Sequence, residues 1–421
     1  MRTSSPRNER LGFSFEEEGT EIQNLKSKAS ALDATDPLGH FRDRFVIDDL
    51  IYLDGNSLGR LPKATAERIR EVVERQWGER VIRSWGEEWL DLPQRIGDKI
   101  GRLIGAKEGE TIASDSTSVN FYKLVHAALS ATDRRVVVTN SSNFPSDLYL
   151  LQGLGIEIRQ IDSEDDETIG AALDDRTALL TLSHVEFKSG LRHDMKRLTD
   201  AAHAVGARAM WDLSHSVGAV PIDMGEADLA VGCTYKYLNG GPGATAFLFV
   251  RKDLQEVLRS PIQGWFGQQN AFEFGLNYSP AAGIGRFLAG TPPILSLAAT
   301  EPGIDLLLEA GMDKVGEKAA AQTAFLMELA DSLSLEVITP RNPERRGSHV
   351  AIRHEAAWPI AQALIAEKSV VPDFRTPDVL RLGIAPLYTR YANLAEAMKR
   401  IAEVIETGIY RAYSSEIGGV T

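Results

Sequence analysis

Gly232-Cys233-Thr234-Tyr235-Lys236-Tyr237-Leu238-Asn239-Gly240-Gly241-Pro242-Gly243 is the stretch that decides the fold. Lys236 stands between two tyrosines at the end of an apolar run, directly before a glycine-rich turn. A lysine so placed loses hydration and sheds its proton more readily than a surface lysine, as an amine nucleophile must. The glycines let the backbone turn sharply and approach a ligand closely. Taken alone, the stretch fits a strand end with a snorkelling lysine equally well. Trp211-Asp212-Leu213-Ser214-His215, at the end of the preceding apolar run, adds an acid and an imidazole at a neighbouring strand mouth. A lysine at one strand end and a carboxylate at the next suit pyridoxal phosphate, which takes a Schiff-base lysine and a carboxylate at its ring nitrogen.

Outward from this pair, short β-branched runs recur at 135–139, 156–161, 178–183, 207–212, 227–234 and 246–250, several separated by helical patterns such as 144–153 and 195–205. Most are apolar throughout, as expected for parallel strands covered on both faces. The reading is an α/β large domain over 63–295, with a mostly parallel sheet covered by helices. An amphipathic helix over 63–80, a tryptophan-rich loop over 83–89 and a helix to about residue 104 open it. From residue 296 the texture changes to one long helix, to about residue 330, then short strands and helices, the pattern of a smaller α+β domain over 296–421. Residues 31–62 read as an entry segment packing on the small domain. Residues 1–30, polar with an acidic cluster at Glu16-Glu17-Glu18, read as a flexible or loosely docked arm.

The whole chain, 421 residues with a formal charge of −13, can bury a large core and shows no broad basic surface for nucleic acid or anionic membrane. No apolar run approaches the ~20 residues that cross a bilayer, and no signal core follows the N-terminal basic residues, so a cytoplasmic protein is expected. The lone Cys233 excludes an intrachain disulfide and a cysteine-built metal site.

Open α/β sheets bind ligands beyond the carboxyl ends of their strands, so the polar residues there are the candidates. Asp115-Ser116-Thr117-Ser118 precedes a helical run and offers hydroxyls and free amides to an anion, or simply caps the helix. Phe144 and Asp147, in Asn143-Phe144-Pro145-Ser146-Asp147, suit a flat heterocycle, or a capped helix start with a core phenylalanine. Ser183 and His184 end the strand 178–183. A metal reading of Asp212, His215 and His193-Asp194 lacks a recurring ligand spacing.

The pieces, in this order along one chain, resemble kynureninase, a homodimeric pyridoxal-phosphate enzyme of the aspartate-aminotransferase fold (fold type I). The matching stretches are 53–59, 143–147, 211–216 and 232–243, with Gly-Trp-Phe-Gly at 264–267, Gly-Thr-Pro-Pro-Ile at 290–294, Arg-Gly-Ser-His-Val at 346–350 and Pro-Leu-Tyr at 386–388. The resemblance implies a seven-stranded large-domain sheet and makes Lys236 the Schiff-base lysine, Asp212 the partner of the ring nitrogen and Tyr235 a proton shuttle that also contacts phosphate. It places Ser116 and Thr117 on the phosphate, with Trp265 and Thr291 arriving from the second subunit. Phe144 stacks on the ring, while Asp147, Ser183 and His215 complete the shell. Arg381 grips the substrate carboxylate, a match for a guanidinium fork, with Ser57 on the substrate side; Trp85, Gly290 and Thr291 border the aryl ring.

The implied reaction is hydrolysis of L-kynurenine to anthranilate and L-alanine in tryptophan catabolism, with active sites at a homodimer interface. The small Gly290 and Thr291 favour kynurenine over its 3-hydroxy form. Another fold-type I enzyme, an aminotransferase or desulfurase-like lyase, and a cofactor-binding protein without turnover are the alternatives. A desulfurase would offer a cysteine on a mobile loop, whereas Cys233 lies in the strand. Glu186-Phe187 stands where the family usually carries Asn-Tyr.

Overall fold

The structure, a computed structural model, describes residues 15–418, with side chains described from residue 24. Seven strands form the large sheet, in spatial order Thr111–Ala113, Phe247–Val250, Leu229–Gly232, Arg208–Asp212, Thr177–Ser183, Val136–Asn140 and Glu157–Ile161. Only Phe247–Val250 runs antiparallel to its neighbours. The unbroken apolar runs make sense because both faces are buried and side chains alternate between them. Val136, Val138, Leu180, Leu182 and Trp211 pack into one core; Val137, Leu179 and Met210 pack into the other. The six strands expected from sequence are all present. The seventh, Thr111–Ala113, is too short to signal itself and exists through its pairing with Phe247–Val250.

Helices differ more. The run expected as one helix over 63–80 is an α-helix only over Lys63–Glu71, continuing over Val72–Arg80 with the wider π-helical turn. The tryptophan-rich segment is not a loop: Trp85–Trp89 is also a π-helical turn. The single helix expected from 296 to about 330 is two, Ile294–Ala310 and Met312–Ser332, broken at Gly311, whose φ of 81° favours glycine. The first packs on Lys63–Glu71 and Leu92–Leu103. Its Leu297, Ile304 and Leu307 belong to the large-domain core, whereas Phe325, Leu326 and Leu329 of the second belong to the small one. The first turn of the second helix still reaches the large core through Val315, and the chain passes to the small core beyond it.

The small domain holds a four-stranded antiparallel sheet, Asp373–Arg375, Val379–Gly383, His349–Arg353 and Glu336–Val337, covered by Met312–Ser332, Ala357–Lys368 and Tyr391–Thr407. The entry segment divides between the two: Phe41 and Phe45 sit in the large core, Ile51 and Leu53 in the small one. Ile51–Tyr52 pairs in parallel with Val370–Val371. The arm reading needs correction where it is described. Phe15–Ala34 is a helix lying along Tyr391–Thr407, with Ala29 buried. The Asp33 carboxylate accepts from the Tyr391 and Ala392 amides at 2.8 and 3.0 Å, capping that helix. Residues 1–14 lie outside the described residues. Among the described residues no helix is long and apolar enough to cross a membrane, and no acid, His or Cys cluster could hold a metal ion.

Candidate active site

The carboxyl ends of the parallel strands converge on one pocket, lined by Thr117, Ser118, Phe144, Ser146, Asp147, Ser183, Phe187, Asp212, Ser214, His215, Tyr235 and Lys236. Lys236 follows the end of Leu229–Gly232 and Asp212 ends Arg208–Asp212, so the sheet itself sets the spacing between amine and acid. The peptide of Lys236 is gripped from behind. Gly59 donates to the Tyr235 carbonyl at 2.8 Å, and a Cβ at Gly59 would stand 2.3 Å from the Lys236 carbonyl oxygen. Only glycine fits there, which explains the last residue of the 53–59 stretch.

Lys236 makes no side-chain hydrogen bond or ion pair among the described residues; its Nζ lies 5.7 Å from the centre of the Phe144 ring. Burial pushes its pKa below the usual value, with Cys233 and Asp212 pulling the other way. Asp212 Oδ1 accepts from the Ser214 amide at 2.8 Å. Burial raises the pKa of the Asp212 carboxyl against those Ser214 hydrogen bonds. Asp147 is 2% exposed, and its Oδ2 has no hydrogen-bond partner. Burial, then the Asp212 charge, pushes Asp147 well above the carboxylate range. His215 is held neutral by burial and by the nearby Lys236 and Arg381 charges. Tyr235 is raised by the adjacent Cys233 and by burial, so its phenol stays protonated at neutral pH.

Ser116 does not line the pocket itself; it caps the helix Thr117–Ser130 next to it, its Oγ accepting from the Val119 amide at 3.4 Å. Thr117 and Ser118 face the pocket at this positive helix end. Ser183 contributes indirectly: its Oγ donates to Asn143 Oδ1 at 2.8 Å, and that oxygen also takes the Phe144 amide at 2.8 Å. Phe144 in turn meets the Phe187 ring edge to face at 5.4 Å.

Arg381 is fully buried and does not line this pocket. Its guanidinium ion-pairs with Asp373, donates to the Phe187 carbonyl, and reaches Ser57 Oγ at 3.3 Å. The Asn56 amide, turned to present its oxygen, accepts from it at 2.7 and 3.0 Å. Asp373 stands directly opposite Arg381 in the antiparallel register, and its other oxygen takes Arg375 at 2.8 Å. Asn56, Asp373 and Arg375 are site neighbours that sequence reasoning missed. Strand pairing brings Asp373 and Arg375 there with no local motif to announce it, whereas Asn56 lies within the 53–59 stretch beside Ser57. Close packing holds them in place: a Cβ on Gly383 would overlap the Asn56 side chain.

Trp85, Trp265, Gly290 and Thr291 are not brought to the pocket of their own chain. They gather elsewhere: Phe266 stands 5.9 Å from Trp85 and 4.6 Å from Trp265, and its amide donates to the Ala289 carbonyl. Gly290 and Thr291 are exposed there.

A kynureninase C-terminal domain model matches residues 315–401. Kynureninase of Pseudomonas fluorescens is 42% identical over 395 residues, 89% of this chain and 94% of that one. Kynureninase of Burkholderia pseudomallei (strain K96243) is 42% identical over 406 residues, 92% and 97% of the two chains. The chain belongs to the kynureninase family. Its fold is also that of apo cysteine desulfurase from Thermococcus onnurineus NA1, at a TM-score of 0.75 and 18% identity, covering 85% of this chain and 95% of that one. A C-DES mutant with glycine covalently linked to its PLP cofactor superposes with a TM-score of 0.75 at 16% identity, covering 86% and 99%. The chain has the fold-type I architecture, a mostly parallel seven-stranded sheet beside a smaller domain.

Proposed function

We propose that this chain cleaves L-kynurenine hydrolytically to anthranilate and L-alanine, using pyridoxal 5'-phosphate bound in the pocket above. Family membership supports the reaction, and one observation carries the cofactor: an unpaired buried lysine facing two buried acids, one with an unpartnered oxygen. A protonated ring nitrogen satisfies that oxygen, an aldehyde suits the amine, and a phosphate suits the helix end at Ser116 and Thr117. When bound, pyridoxal phosphate supplies an electron-accepting ring that steadies negative charge on the substrate's α-carbon side.

The chain's own residues do the rest. Lys236 Nζ would hold the cofactor and take the α-proton of the substrate, a role that its lowered pKa favours. Asp212 and Asp147 keep the ring nitrogen charged. Phe144 provides the flat face against which the ring rests, while Ser183 and His215 complete its surroundings. Tyr235 keeps its Oη proton for delivery to the carbon released when the bond to the γ-carbonyl breaks. Arg381, with Ser57 beside it, is assigned the substrate carboxylate.

A homodimer follows from the same reading. Trp265 and Thr291 fit the phosphate side of a neighbouring chain's pocket, and Trp85 and Gly290 fit its aryl border. The exposed Phe272, Phe274 and Leu276 beside Trp265 support a covered surface there. The cytoplasm and tryptophan breakdown are the proposed setting.

The test is product analysis: holoprotein with kynurenine should release fluorescent anthranilate. A holoprotein that instead transaminates amino acids, or leaves kynurenine untouched, overturns the proposal.

A further inference from the structure

Beneath the helix end at Ser116 lies a lysine to which no step above gives a task. Lys123, on the helix Thr117–Ser130, is fully buried. Its Nζ ion-pairs with Asp115 Oδ2 and donates to the Phe287 carbonyl at 2.6 Å and to Ser114 Oγ at 3.3 Å. Burial pushes this ammonium below its usual pKa and Asp115 pulls it back. A buried cation with oxygen partners on two separate stretches fixes those stretches relative to its own helix.

The Asp115 contact carries the consequence. Asp115 has a φ of 45°, left-handed backbone that a residue with a side chain adopts only when its surroundings hold it there. It immediately precedes Ser116, so its conformation sets where the Ser116 hydroxyl and the following amides point. Its carbonyl is held as well, accepting from the Ala246 amide at 2.9 Å. Its side chain is 31% exposed, so packing does little to restrain it; its Oδ2 is held by the Lys123 ion pair and by the Ser114 hydroxyl, which donates to it at 2.6 Å.

We propose that Lys123 is a positioning residue for the cofactor's phosphate: by gripping Asp115 from below it holds the left-handed turn that aims Ser116 and Thr117. The inference rests on the cofactor reading above and adds a residue that touches no ligand.

The experiment compares binding of pyridoxal phosphate and of unphosphorylated pyridoxal to the full-length apoprotein, followed by absorbance and by quenching of tryptophan fluorescence. The readout is the ratio of the two dissociation constants, which a general loss of fold does not move selectively. Lys123→Met is expected to lower the preference for the phosphorylated form on the order of tenfold, or about 1.4 kcal/mol, with pyridoxal affinity unchanged. Asp115→Asn, which keeps a side chain that accepts left-handed backbone and removes only the charge, is expected to match it, and the double variant to lose no more than either single. An unchanged ratio in Asp115→Asn, or fully additive losses in the double variant, overturns the proposal whether or not Lys123→Met folds. If the parent protein itself shows no preference for the phosphorylated form, the cofactor reading has failed, a result distinct from loss of preference in the variants alone.

Discussion

Asp147→Asn should stabilise the apoprotein while weakening cofactor binding. Asp147 sits in the first turn of the helix Pro145–Gly153, 2% exposed, with Oδ2 unpartnered and Asp212 close enough for its charge to be felt. Two buried carboxylates share one amine, and that amine is itself depressed by burial. Asparagine keeps the shape and removes one charge. An unpartnered buried group costs more when it is charged than the about 1–3 kcal/mol of a neutral one, and the substitution relieves that difference, on the order of 1 kcal/mol at neutral pH. For a chain of this size that is a rise in melting temperature of about 1 °C.

The sign with pH follows from linkage. Burial and then Asp212 raise the folded-state pKa of Asp147 above its ordinary 3.8. Its protonated form therefore supports the fold fully below that ordinary value, and the support is lost as pH rises through the folded value. Parent and variant apoproteins should melt together near about pH 4 and diverge toward about pH 7. Pyridoxal phosphate should reverse the order, because the parent alone offers the ring nitrogen a second anion. Calorimetry of both proteins across this range, with and without cofactor, decides the matter. A variant apoprotein less stable than the parent at neutral pH, or an equal gap at both ends, refutes the reasoning.

Lys236→Ala should abolish the visible absorbance of bound cofactor and nearly all turnover; borohydride reduction and peptide mapping of the parent should label position 236. Arg381→Lys should weaken substrate binding by about 2–5 kcal/mol, since an ammonium cannot reproduce the fork. An unchanged KM would shift the carboxylate to Arg375, which shares Asp373 and is partly exposed. His193 is buried between Asp166 and Glu186, at 2.6 and 2.9 Å; burial opposes its charge, but the two acids push its pKa up to about 9. That stabilisation is complete below the ordinary 6.5 and is lost as pH rises through about 9. Denaturant unfolding should thus show the parent losing more stability than His193→Gln between about pH 7 and about pH 10; parallel curves would exclude a charged His193.

What the sequence discloses depends on how locally each feature is made. Lys236, Asp212, Ser183 and Phe144 were legible because each ends or follows an apolar run, and a parallel sheet delivers every such end to one edge. The helix break was hidden because Gly311 interrupts two stretches that each have apolar faces, and only their partners send the first, with Val315 of the second, to the large core and Phe325, Leu326 and Leu329 to the small one. The arm was hidden because the helix Phe15–Ala34 gains its place from Tyr391–Thr407, far along the chain.

Arg381 shows the limit most sharply. Sequence supplies the guanidinium, but not the Asp373 across the strand, nor Asn56 and Ser57 from the entry segment, that occupy most of its donors. A fully buried guanidinium already paired to a carboxylate is held rigidly, and rigidity is what a fork needs to discriminate one carboxylate position from another. Its donors must also be shared or released when a second carboxylate arrives. The Asp373 pair therefore fixes where Arg381 points and sets how tightly it can hold anything else. Asp373→Asn should separate these effects: a tighter substrate grip if competition dominates, a looser one if orientation does, read as KM against kcat. No change in either parameter would mean that Arg381 needs no such support.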